Sequence, residues 1–121
     1  MPPDAPAAAP PLPVLCLVRD LMFAGKITVA AGHAGVTVDM VRDPAKLLDR
    51  DGRQLIVDLN QEGALAAAIA WRQRTGRPVV GFVAHVDTDT IAAARTAGID
   101  RVLARSAFTV QLPDLLGMPN A

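Results

Sequence analysis

Apolar positions in this chain fall into short unbroken runs, separated by longer stretches with helical spacing. Residues 14–18 (VLCLV) are continuously apolar, as expected of a strand buried on both faces. In 21–34, Phe23, Ile27, Ala30, Ala31 and Ala34 recur on one helical stripe, and Gly35 is a natural stop. Residues 36–41 (VTVDMV) alternate and are β-branched, which predicts a second strand. Asp43-Pro44 is a cap followed by a first-turn proline, and opens a short helix that ends near Asp51-Gly52. Residues 54–58 (QLIVD) form a third strand, apolar until the last position. A helix over 61–75 turns Leu65, Ala68 and Ile69 inward and closes at Gly76. After Arg77-Pro78 comes a fourth strand at 79–83. Thr88 then caps a helix through Ala97 with Ile91 and Ala94 inside and Gly98 as its stop. Residues 101–104 make the fifth strand, and Ser106 caps a last helix carrying Phe108, Leu112, Leu115 and Leu116.

Strands alternating with helices require a parallel sheet covered on both faces, a three-layer α/β/α domain. Right-handed crossovers restrict it to a doubly wound sheet, and five strands in about a hundred residues favour the flavodoxin-like order 2-1-3-4-5. The expected division is a Pro/Ala-rich tail at 1–13, a domain at 14–117 and a C-terminal stub at 118–121, with no output domain. The tail (MPPDAPAAAPPLP) has six prolines, which remove donors and fix φ, so it reads as flexible or polyproline-like, with no proline-motif anchor.

Composition narrows the function. Twelve basic residues balance twelve acidic ones, so no overall field draws the protein onto nucleic acid or anionic lipid. Three Phe, one Trp and no Tyr leave little for stacking bases or flavins. The single Cys16 excludes an internal disulfide and a multi-cysteine metal site, and mid-strand it reads as a buried small hydrophobe. No apolar run reaches membrane-spanning length and the start lacks a secretory pattern, so a cytoplasmic location is expected, without membrane contact.

In an open parallel sheet, ligands bind at the carboxyl ends of the strands. That edge collects Arg19-Asp20 after the first strand and Asp58 and Asn60 at the third. Ala84-His85 follows the fourth strand, and Arg105-Ser106 the fifth. An aspartate closing an apolar strand is costly unless paired, so Asp58 is either half of a structural ion pair with Arg19 or Arg105, or a functional group.

The chain resembles response-regulator receiver domains, the fold of the chemotaxis regulator, from about Val14 to Leu116. LIVDL at 55–59 matches the strand bearing the phospho-acceptor aspartate. PVVGFVA at 78–84 matches the strand ending in Thr/Ser-Ala, and ARTAGIDRVLARS at 94–106 the stretch ending in Lys-Pro. The resemblance implies that Asp58 is the acceptor position and that Asp20 is the remnant of an acidic pair that holds Mg²⁺. Val83, Ala84 and Ser106 then stand at the switch positions. Arg19 replaces the second acid, Val83 lacks the switch hydroxyl, Arg105 replaces the lysine, and Ser106 replaces the proline after it.

A guanidinium in place of an acid opposes a divalent cation, at roughly 3 kcal/mol per unit of charge product for ~5 Å and an effective ε of ~20. Arg19 and Arg105 are therefore expected to neutralise Asp58, giving a pseudo-receiver that works by protein–protein contact with weak or no phosphorylation. It would need no cofactor and would not be an enzyme; its partner would be a kinase or regulator. One alternative is a working single-domain receiver phosphorylated on Asp58 in a two-component phosphorelay, with Mg²⁺ on Asp20 and Asp58. Another is a small ligand-binding protein or enzyme that uses Arg19, Asp58, His85 and Arg105. His85 is a candidate edge ligand as well as a plain loop histidine, while His33 suits a helix C-terminus. Trp71 reads as a partly exposed helix residue. Outward alanines such as Ala92 and Ala93 point to a homodimer through the helices at 88–97 and 106–116 and the strand between them.

Overall fold

The structure, a computed structural model, describes residues 12–83 and 88–117. Its elements are β1 (Val14–Leu17), α1 (Leu21–Ala34), β2 (Val38–Val41), a 3₁₀ segment (Pro44–Asp49), β3 (Gln54–Asp58), α2 (Ala64–Thr75), β4 (Val79–Val83), α3 (Thr88–Thr96), β5 (Arg101–Ala104) and α4 (Arg105–Gly117). All strand pairs are parallel and the order is β2-β1-β3-β4-β5, as the pattern predicts.

Period-two alternation sorts each strand between the two cores. Val14, Cys16, Ile56, Val80 and Phe82 face α1 and α4, where they meet Phe23, Ile27, Phe108 and Leu116. Leu15, Leu17, Leu55, Val57 and Val102 face the opposite layer and pack with Leu47, Ala68, Trp71 and Ala94. Burial pushes the Cys16 thiol up to about 12, helped by the charge of Asp39, so it stays protonated and inert at neutral pH.

Several boundaries differ from the sequence pattern. β2 starts at Val38, because the amide of Val36 is already bonded to the carbonyl of Ala31 at the end of α1. The expected second helix is only a 3₁₀ segment, capped by Asp43 at the amide of Ala45. α2 starts at Ala64, preceded by Gly63 at φ 81°, which no side chain caps. α4 follows β5 directly at Arg105, so Ser106 lies exposed inside the first turn and is not its cap.

Trp71 is also not partly exposed: it is fully buried, and its Nε1–H donates to the carbonyl of Arg50 at 3.0 Å. Arg50 in turn grips Asp39 of β2 through one nitrogen at 2.8 and 2.9 Å, while Arg74 donates to the Arg50 carbonyl at 2.6 Å. α2 and β2 are thus tied to one loop. A helical spacing that shows one polar flank, Arg72 and Gln73, does not reveal that a loop covers the indole.

Across the sheet, Asp100 is held by Arg72 in a two-point contact at 2.9 Å each, and accepts the amide of Val79 at 2.7 Å. The hydrogen bond from Arg72 holds the Asp100 carboxyl below the usual aspartate range, against a smaller opposing effect of burial and with help from the Val79 amide and the charge of Arg72.

Trp71→Ala is expected to cost about 3–5 kcal/mol, since it empties a filled core site; urea unfolding followed by circular dichroism measures it, Trp71 being the one tryptophan. Because the folded-state pKa of Asp100 is depressed, its contribution is complete above the unfolded value of about 4 and fades as pH falls through the folded one. Asp100→Asn should therefore lower the urea midpoint at pH 7, and the gap to the native chain should narrow below pH 4.

Candidate functional site

The carboxyl edge of the sheet is where polar side chains gather, since both faces are filled with apolar ones. Asp58 ends β3 only 6% exposed, and is the one buried charged side chain among the described residues. Its Oδ1 accepts the amide of Asn60 at 3.0 Å, and its carbonyl accepts the amide of Gln61. Gln61 reaches back to donate to the carbonyl of Leu17 at 2.8 Å, closing the end of β1 over the gap beside β3; its Oε1 is buried without a partner.

Asp20 has a different task. Its Oδ1 caps α1 by accepting the amides of Met22 and Phe23 at 2.9 and 3.3 Å. Its Oδ2 faces a guanidinium nitrogen of Arg105 at 3.6 Å. That guanidinium also lies over the ring of Phe23, 4.8 Å from its centre, and Phe23 packs on Phe82 and Phe108 at 4.7 and 5.5 Å. Both partners are more than a third exposed, so the ion pair contributes about 1 kcal/mol at most and the ring contact a similar amount. The significance of the contact lies in where it puts charge. Arg105 opens a helix whose N-terminal dipole disfavours a cation, and it leaves its Nε buried without a partner. Asp20 and the Phe23 ring compensate.

The expected neutralisation of Asp58 by Arg19 and Arg105 is therefore not what the structure shows. Among the described residues Asp58 has no ion pair: Arg105 goes to Asp20, and Arg19 points away to the exposed rim, into a cavity shared with Arg42, Asp43 and Pro44. The physical reason is capping. Orphan amides at the start of α1 fix the Asp20 carboxylate beside the first turn of α4, where Arg105 meets it. Sequence reasoning missed this because it weighed Asp20 only as a remnant acid, although an aspartate just before a helix is also a cap signal.

Val83 is fully buried, while Ala84 and the candidate ligand His85 lie outside the described residues. Of the two acids at this edge among the described residues, Asp20 is already shared between helix amides and a guanidinium, and no group of three or more His, Cys, Asp or Glu is positioned there to hold a metal ion.

A second feature of the surface is apolar. Leu21, Met22 and Val29 of α1 and Val110 of α4 are more than 60% exposed. Between the two helices runs a groove of about 710 Å³ whose lining includes Val29, Ala30, Leu112 and Pro113. No described helix is long and apolar enough to cross a membrane.

No protein-family model and no curated protein matches the chain in sequence. Solved structures do match in shape. The phosphorylated cyanobacterial phytochrome response regulator RcpA superposes with a TM-score of 0.72 at 16% identity, covering 88% of this chain and 89% of that one. A CheY-like response regulator receiver domain protein from Methanospirillum hungatei gives 0.72 at 10% identity, over 88% and 94%. HP1043, an orphan response regulator of Helicobacter pylori, gives 0.71 at 15% identity, over 88% and 97%. With its five parallel strands in the order 2-1-3-4-5 between two helical layers, the chain has the fold of response-regulator receiver domains.

Proposed function

We propose that the unit from Val14 to Gly117 is a pseudo-receiver, a signalling module that acts by protein–protein contact with little or no phosphorylation of Asp58. RcpA is phosphorylated, so the fold alone does not distinguish the two kinds of receiver. The observation that carries the reading is the contact of Arg105 with Asp20. The one acid left beside Asp58 caps a helix with one oxygen and meets a cation with the other. A metal or a phosphoryl group arriving at Asp58 would have to displace that cation or share its partner. The buried Val83 offers no hydroxyl to a phosphoryl oxygen, which removes the usual means of reading such a group.

The contact surface this reading favours is the α1–α4 face. Four large apolar side chains stand in solvent there beside an apolar groove, whereas the outward positions of α3 include the small Ala92 and Ala93. Exposed large apolar side chains beside a groove are what a protein partner covers.

Incubation with acetyl phosphate and Mg²⁺ should leave the intact mass of the native chain unchanged. The triple variant Arg19→Asp, Val83→Thr, Arg105→Lys should gain a phosphoryl adduct that a further Asp58→Asn change removes. Stable labelling of the native chain, lost in Asp58→Asn, would overturn the pseudo-receiver reading in favour of a working receiver.

A further inference from the structure

The second cavity at the sheet edge has a composition the receiver reading leaves unused. β1 and β2 are neighbours, with Leu17 opposite Val41, and each is followed by an Arg-Asp pair: Arg19-Asp20 after one, Arg42-Asp43 after the other. Both aspartates turn inward to cap the next element, Asp20 at α1 and Asp43 at the 3₁₀ segment. The caps hold the acids on helix amides and leave the two arginines on the rim. Arg19, Arg42, Asp43 and Pro44 line one cavity of about 310 Å³.

Neither guanidinium has a hydrogen-bond or ion-pair partner among the described residues. Six of the other eight arginines are engaged among the described residues, Arg77 and Arg95 being the exceptions. Arg50, Arg72, Arg74 and Arg105 meet carboxylates, Arg53 bonds the carbonyl of Leu116, and Arg101 bonds Gln111. Two exposed cations lining one concavity, unpaired among the described residues, repel each other and are held together by the strand ends. An oxyanion relieves that repulsion, and planar guanidinium forks match phosphate oxygens two at a time. Asp43 spends one oxygen on the amide of Ala45 at 3.0 Å, and its other oxygen is suited to accept a hydroxyl of the same ligand. The volume lies at the small end of ligand sites, enough for a phosphate with a short body.

We propose that Arg19 and Arg42 bind the phosphate of a small hydroxylated phosphate monoester, with Asp43 accepting its hydroxyl. The site is independent of phosphoryl transfer to Asp58, so it stands or falls separately from the pseudo-receiver reading. The test is an amide-shift NMR titration of the full chain with glycerol 3-phosphate, which does not phosphorylate aspartate, and in parallel with inorganic phosphate. Saturable shifts confined to residues near 19–20 and 42–45 are expected, with glycerol 3-phosphate the tighter. Arg19→Gln and Arg42→Gln should each weaken binding about tenfold or more, as loss of a charged hydrogen bond does. Arg95→Gln, an exposed arginine on α3, should change nothing. Absence of saturation, or equal weakening by Arg95→Gln, would overturn the site. Inorganic phosphate binding as tightly as the monoester would overturn the assignment of the ligand class.

Discussion

Everything in this molecule depends on a parallel sheet that is buried on both faces. Such a sheet accepts apolar side chains above and below, and the alternation of each strand sorts them into two cores. Charged groups have no place within its central strands, so they lie at the strand ends or, like Asp39, on the edge strand β2. At the carboxyl ends, the first amides of the succeeding helices and the last carbonyls of the strands also need partners. Chemistry concentrates there because backbone satisfaction and side-chain charge compete for the same few residues.

The outcome of that competition gives the edge its character. Asp20 and Asp43 are drawn to the amides of the elements they precede. Arg105 pairs with Asp20 and settles on Phe23, above the three packed phenyl rings. Asp58 is left buried with a backbone amide as its partner, and the gap toward β1 is closed by Gln61. None of these contacts is individually strong. Together they place the Arg105 cation beside the Asp20 carboxylate.

Receiver folds superpose on nearly nine-tenths of the chain at 10–16% identity. The fold asks only for the period-two and period-3.6 patterns with stops in the right places, and many sequences meet that request. Arg19 is exposed at the rim, whereas Val83 fills a buried core position and Arg105 lies over the Phe23 ring.

The strands, their order and the layered architecture were legible in the residues, because continuous apolar runs, helical stripes and glycines such as Gly35 and Gly76, both in the left-handed region, are local signals. Asp58 was legible too, as the one charge ending an apolar strand. Partner choice was not. Whether Arg105 meets Asp58 or Asp20, whether Trp71 lies under a loop, and whether Arg19 joins the buried acid or Arg42 depend on distances between segments far apart in the chain. Those distances exist only once the helices have docked on the sheet, and a charge pairs with whichever opposite group the docked backbone brings nearest.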